Sequence, residues 1–309
     1  MDSEGGLRPP EAKVNDNKFT VKSAAAAQAM IILQSVVYGF GDPISKIAFE
    51  VTPVYTLMTV RYTMAFAALF LFCHKRIIRT VRTVPLRSWL LPGLCIGASY
   101  VLSNIALSMT DATPIAFLRS TAVIITPLFA YLVFRSRYRW QHIVIQILSI
   151  PGLYLLCLKG GLSGFGPGEA LTVVAAILMA GALVFSGRFL DRVDPVSMTA
   201  LQAACSAVLA FVCGLFFEGG LHIAGITGLA WLIIVYLAIL CTLMGYLLQN
   251  LALTRISDRA VALLQTLYPV MTAVFSFLML GEKLSPAGIC GCAIIVACIA
   301  AASLVRAEE

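Results

Sequence analysis

The stretch Tyr100-Val101-Leu102-Ser103-Asn104-Ile105-Ala106-Leu107 decides the fold, because the chain carries it twice. It returns 146 residues later as Tyr246-Leu247-Leu248-Gln249-Asn250-Leu251-Ala252-Leu253, with five of eight positions identical. The offset then runs on without a gap. Leu118 falls on Leu264, Arg119 on Gln265, and the turn Arg135-Ser136-Arg137 on Gly281-Glu282-Lys283. A fixed offset of nearly half the chain, joining two very apolar halves, reads as an internal duplication. In a membrane protein this implies a transporter whose site lies between the halves.

Composition supports the membrane reading. Of the 309 residues, 60% are hydrophobic and 12% charged, where a soluble domain carries about a quarter charged. Residues 1–23 are polar, contain no signal peptide and are expected to be disordered. The net charge of +7 is read as loop asymmetry and not as a nucleic-acid surface. The nine cysteines are read as small apolar residues. Most fall within apolar runs, and Cys290-Gly291-Cys292 has no metal spacing and no histidine pair beside it.

Apolar runs of about 20 residues, the length a bilayer requires, divide the chain into ten spans. They are Ala24–Gly41, Val54–Phe72, Trp89–Met109, Thr113–Phe134, Gln141–Leu158, Glu169–Phe189, Val196–Phe217, Thr227–Leu253, Ala260–Leu280 and Pro286–Val305. An even number puts both termini on one side. Of the 22 Lys and Arg, all but Lys46, Lys159, Lys283 and the intrahelical Arg61 and Arg119 fall on that side. Such a bias predicts cytoplasmic termini, and a miscount by one span would scramble it. The expected fold is an all-α polytopic membrane protein. A first five-helix repeat covers 24–160, a second covers 161–305, and 306–309 form a cytoplasmic tail. Five is odd, so the second repeat runs through the membrane inverted, which gives one chain two related packings.

These residues resemble the EamA-type permeases of the drug/metabolite transporter superfamily. The resemblance rests on Tyr38-Gly39-Phe40-Gly41 with Lys46, on Pro53 to Tyr62 with its mid-membrane Arg61, and on Tyr246 to Val296. That last stretch includes Asn250 to Leu253, Pro269 and Gly281 to Ser285. It covers about residues 24–305 as an ordered set, with no single motif specific. It implies ten helices around a central cavity and the movement of small metabolites, commonly the export of amino acids or related compounds. This chain departs from the pattern at Ser136, where the family usually has Glu, and at Asp42-Pro43, expected as an unusual outer end to the first helix.

Polar groups within the spans are the candidate substrate contacts. An intramembrane charge is costly and usually faces a cavity or a partner. Arg119 is expected to face the cavity and meet a substrate carboxylate or phosphate; the competing reading is snorkelling or bonding to backbone carbonyls. Arg61 is read first as structural. Tyr100 with Asn104, and Tyr246 with Asn250, each share a helix face at a spacing of four. Gln265, Tyr268 and Thr272 form a stripe on the ninth span, and Gln34 and Tyr38 another on the first. Such stripes face protein or water. The two asparagines read either as ligand contacts or as interhelical glue, and Tyr38, Tyr100, Tyr246 and Tyr268 as aromatic walls or interface tyrosines.

Catalysis is disfavoured. His74, His142 and His222 sit at or near connections, and no predicted span has Asp or Glu at its middle. Asp42, Asp111 and Glu169 fall near the outer ends, as candidate proton or ion sites. The sequence therefore predicts a secondary transporter working by alternating access, with no cofactor or metal and no nucleic-acid partner. Its partners are a small-molecule substrate and the lipid bilayer, with a homodimer left open. Export of amino acids or related amphipathic metabolites is the first reading. Exchange of phosphorylated or other anionic metabolites, using Arg119 and Arg61, is the second. The expected location is the cell (inner) membrane.

Overall fold

The computed structural model describes residues 21, 23–135, 144, 147–148, 150–152, 154–155, 166–281 and 286–307. The fifth predicted span is covered only at a few positions. Ser136, Glu282, Lys283 and nearly all of the expected disordered segment lie outside the described residues.

The elements are helical throughout the described residues. They are α1 (Ala24–Phe49), α2 (Val54–Thr83), α3 (Arg87–Met109), α4 (Ala112–Ser120), α5 (Ala122–Phe134), α6 (Pro167–Phe189) and α7 (Pro195–Phe217). Then follow α8 (Gly228–Tyr236), a π-helical segment (Leu237–Met244), α9 (Gly245–Leu253), α10 (Asp258–Leu264), α11 (Leu267–Leu280) and α12 (Pro286–Ala307). Side chains mark several starts. Ser23 accepts from the Ala26 amide, Asp194 from Ser197, Thr227 from Ala230 and Ser257 from Ala260, satisfying amides a helix leaves free. Pro167 and Pro195 sit at the first helical position, where no donor is needed.

Among the described residues, eight helices or consecutive helix runs are long and apolar enough to cross a bilayer, and α12 stands at the tenth predicted span. Phe72, Leu132, Phe216 and Leu278 project outward, exposed by 83, 71, 80 and 68%. An outer surface this apolar suits lipid and not water. The predicted ends at Met109, Phe134, Phe189, Phe217, Leu253 and Leu280 coincide with observed helix ends.

Helix contacts carry the duplication into three dimensions. α3 packs on α6 as α9 packs on α1, and α1 packs on α11 as α6 packs on α5. α2 meets its own counterpart α7, and α4 packs on α11 as α10 packs on α5. Exchanging the repeats returns the same set of pairs. The core thus has two related halves with a seam between them.

Four expectations are corrected. First, α1 does not stop at Gly41. It runs through Asp42 and Pro43 to Phe49; proline costs the ladder one bond, and the helix continues. Second, α2 runs beyond Phe72 to Thr83, bending at Cys73 (φ −126°, ψ 16°). Third, the fourth and ninth spans are each broken, at Thr121 and at Gln265–Thr266. Both breaks are knit by 3₁₀-type bonds, Thr121 N to Leu118 O (3.2 Å) and Thr266 N to Leu263 O (3.0 Å). Fourth, the eighth span carries the π-helical turns.

A candidate substrate cavity between the repeats

The cavity sits on the seam and is built mostly from polar stripes. α1 contributes Ser35, Tyr38, Asp42 and Ser45, α3 contributes Tyr100 and Asn104, and α2 contributes Arg61. Arg119 and Gln265 occupy equivalent positions at the two helix breaks and line the same space, beside Tyr268. The residues nearest the break on each repeat are thus brought together by the seam. One lobe, at Arg119, Gln265 and Tyr268, leaves a free volume of about 30 Å³. The other, at Asp42, Arg61 and Asn104, leaves about 10 Å³. That is room for a few waters, so the cavity is contracted around its side chains.

Arg119 is buried, and its Cζ stands 4.2 Å from the centroid of the Tyr268 ring and 5.3 Å from that of Tyr100. A guanidinium over an aromatic face is held by the ring quadrupole, by about 0.5–2 kcal/mol depending on desolvation. Among the described residues, no hydrogen bond engages its fork of donors. Arg61 is also buried; its Nε donates to Thr242 Oγ1 at 2.8 Å, and its Cζ lies 5.2 Å from the Tyr62 centroid. Thr242 is presented by the π-helical segment, which thus meets Arg61 of the cavity. Among the described residues, neither guanidinium has a carboxylate oxygen within 4.0 Å.

The tyrosines form one connected group. Tyr38 meets Tyr100 edge-on at 5.9 Å and Tyr268 at 6.5 Å, and Tyr100 lies against Tyr246 at 5.4 Å. Tyr38 also presses on Gly245, where an added Cβ would overlap its ring. Among the described residues, the hydroxyls of Tyr38, Tyr62 and Tyr268 are buried with no hydrogen-bond partner.

The candidate residues divide. Tyr38, Arg61, Tyr100, Asn104, Arg119, Gln265 and Tyr268 line the cavity. Tyr246 stands behind Tyr100, with its hydroxyl 3.4 Å from Ser206 Oγ. Asn250 lies elsewhere. Its Nδ2 donates to Thr199 Oγ1 (3.0 Å) and Gln202 Oε1 (2.7 Å), and Gln202 donates on to Ser186 (3.0 Å). This is the glue reading, between α9, α7 and α6. Among the described residues, Asn104 bonds only its own helix, at Tyr100 O (2.8 Å). Gln265 has a double character. It lines the cavity, yet its Nε2 donates to Gln34 Oε1 (3.0 Å) and Gln249 Oε1 (2.8 Å).

Sequence reading missed Asp42 as a cavity residue, because Asp42-Pro43 looked like a helix end. The signal was present: Gln34, Tyr38, Asp42 and Ser45 follow one another at spacings of four, four and three, one continuous helix face.

The two ends of the seam differ. Farther along the same helices, a recess of about 400 Å³ lies among Ala130, Val184, Arg188, Leu253 and Asp258. Its Leu253 and Ile256 belong to one buried cluster with Val21 and Ala27, which puts it toward the N-terminal end of α1. At the opposite end, polar contacts tie elements together. Lys46 pairs with Asp111 at 2.9 Å, Thr110 donates to Glu169 at 3.0 Å, and Glu218 accepts from the Tyr55 and Thr56 amides at 2.8 and 2.9 Å.

A two-repeat, all-helical membrane fold with a polar cavity at the repeat seam defines a class of membrane transporter. The EamA-like transporter family matches residues 26–158 and again 166–304, and the chain belongs to that family. An uncharacterized transporter of Archaeoglobus fulgidus is 25% identical over 281 residues, covering 89% of this chain and 84% of that protein. A protein of Salmonella typhimurium named "Probable amino-acid metabolite efflux pump" is 26% identical, over 87% of this chain and 91% of that one. A crystal structure with 20% sequence identity superposes with a TM-score of 0.75, covering 93% of this chain and all of the other. At that identity the likeness concerns the fold. The protein is a multi-pass membrane transporter.

Proposed function

We propose that this protein exports amino acids or related amphipathic metabolites by alternating access. The observation that carries the reading is Arg119: a buried guanidinium on the repeat seam, held by aromatic faces, without a carboxylate partner among the described residues. A substrate carboxylate completes it, as a charge-assisted bond. The tyrosine walls suit an apolar side chain, and the name of the Salmonella typhimurium relative points to the same substrate class. Because the cavity is contracted, the halves must part to admit a metabolite. A recess lies at one end, where Arg76 also pairs with Asp194 at 3.6 Å, and polar contacts tie the other end; that asymmetry suits a rocking pair of inverted repeats. We place the protein in the cell (inner) membrane with both termini cytoplasmic, so the recess faces the cytoplasm. Fusing a cytoplasm-dependent reporter to either terminus checks this; activity only from a periplasmic reporter would reverse it.

A second reading has its own support. Two guanidiniums on one cavity also suit a phosphorylated or other strongly anionic metabolite, moved by exchange. Counterflow by purified protein in liposomes separates the two. Exchange of labelled L-amino acids supports export of that class. Exchange confined to phosphorylated probes, and only against a like anion, supports the second and sinks the first.

A further inference from the structure

Asp42 is the group the proposed mechanism leaves unused. It stands on the cavity face of α1, in the lobe that also holds Arg61, Arg119 and Asn104. Its Oδ2 is buried and, among the described residues, has no hydrogen-bond partner. An aspartate near two arginines at low dielectric ordinarily closes an ion pair, because an unpaired buried charge is costly. Here it does not. Arg61 Nε is committed to Thr242, Arg119 lies over Tyr268 and Tyr100, and among the described residues neither approaches a carboxylate within 4.0 Å. From the elements packed around it, the other groups facing Asp42 are neutral: Tyr38 and Ser45 on its own helix, Tyr100 and Asn104 on α3, and Cys241 on the π-helical segment. The lobe therefore presents two separated positive groups and one separated negative group, none neutralised by direct pairing.

We infer that Asp42 receives the ammonium group of an α-amino acid whose carboxylate is held by Arg119, making the cavity a clamp for a zwitterion. The inference rests on the amino-acid reading and deepens it. An α-amino acid carries its two charges on neighbouring carbons, so a donor fork and an acceptor facing one lobe engage both at once. Binding costs the lobe no change in net charge. A monocarboxylate without the amine brings its anion to Arg119 but leaves Asp42 unpaired and repelling, so Asp42 is a specificity determinant and not only an added contact. Replacing it with a neutral amide removes the repulsion along with the ammonium acceptor, which should invert the preference.

The test uses full-length protein in liposomes, as wild type, Asp42→Asn and Asp42→Glu. Counterflow is measured with each of the twenty standard L-amino acids, with 4-methylpentanoate and 3-phenylpropanoate as the deaminated forms of leucine and phenylalanine, and with phosphorylated probes. The expected result is that Asp42→Asn loses amino-acid exchange by about tenfold or more, the scale of one charge-assisted bond, while exchange of the deaminated acids is kept or raised. Asp42→Glu, which keeps the acceptor, should retain part of the amino-acid exchange. Kept transport of the deaminated acids also shows that the variant is folded. Loss of both substrate types alike overturns the clamp and makes Asp42 a charge balance for the arginines. Amino-acid exchange unchanged in Asp42→Asn overturns it too, with the amino-acid reading intact. Wild-type protein that moves phosphorylated probes and no amino acid sinks that reading and the clamp together.

Discussion

The two helix breaks occupy equivalent places in the two repeats and do different things. α4 and α5 part just after Arg119, and α10 and α11 part at Gln265, 146 residues on. The backbone event is shared down to the ends of the broken spans, where Arg135 (φ 50°) and Gly281 (φ 69°) both close the helix in the left-handed conformation. The side chains are not shared. Arg119 lies over two tyrosine rings, while Gln265 is tied to Gln34 and Gln249. The asparagines repeat the lesson: Asn104 lines the cavity and Asn250 fastens three helices. Duplication has kept the scaffold twofold and let the chemistry become one-sided. The first repeat supplies the charges Asp42, Arg61 and Arg119, and the second supplies anchoring amides and the Tyr268 wall.

Several substitutions break or sharpen that contrast. The largest effect is expected at a helix contact. An added Cβ at Gly39 would overlap Met271 Cβ and stand 2.8 Å from its carbonyl carbon, whereas at Gly181 the nearest atom, Phe129 Cζ, is 3.3 Å away. Gly39→Ala should cost about 1–3 kcal/mol, the range for overpacking. Gly181→Ala should cost clearly less, since a ring can shift. Thermal melts in detergent compare them, and equal losses would remove the asymmetry between α1–α11 and α6–α5.

The asparagines come next. Asn250→Ala leaves Gln202 Oε1 and Thr199 without their donor in a buried place, for a loss of about 1–3 kcal/mol, and should leave the KM of the folded fraction unchanged. Asn104→Ala should do the reverse, altering KM with a smaller shift in melting. If Asn250→Ala changed KM and Asn104→Ala only stability, the assignment of lining and glue would be backwards.

The smallest effect lies at the caps. A non-glycine residue in the left-handed region pays about 1 kcal/mol relative to glycine. Arg135→Gly should raise the melting temperature by a few degrees at most, and Gly281→Ala should lower it by a similar amount. A fall with Arg135→Gly would mean that the arginine side chain stabilises that end by more than its backbone costs.

Much of this was legible in the sequence, and the exceptions have physical causes. The duplication and most helix ends follow from apolar run length and loop charge, which lipid enforces strictly. Arg119 stood out because a charge within an apolar run must have a reason. Asp42 did not, because Pro43 beside it imitates a helix end, and only the spacing from Gln34 through Ser45 shows the helix running on. The two breaks carry no glycine or proline at the break itself; their local bonds are 3₁₀-type and leave no trace in hydropathy. Asn250 and Asn104 look alike in sequence because the difference lies in the neighbours of Asn250, Thr199 and Gln202, which are 51 and 48 residues away.

The most direct measurement is counterflow by Arg119→Gln, the change that makes the first repeat copy the second. It should be run beside wild type, with a carboxylate-bearing substrate and with its carboxamide. The cavity described above predicts that the variant loses exchange of the carboxylate by about 10- to 100-fold, the range for a charge-assisted bond, and moves the carboxamide about as well as wild type. Undiminished exchange of the carboxylate by the variant would contradict it, and Arg119 would then be a structural residue held by Tyr268 and Tyr100.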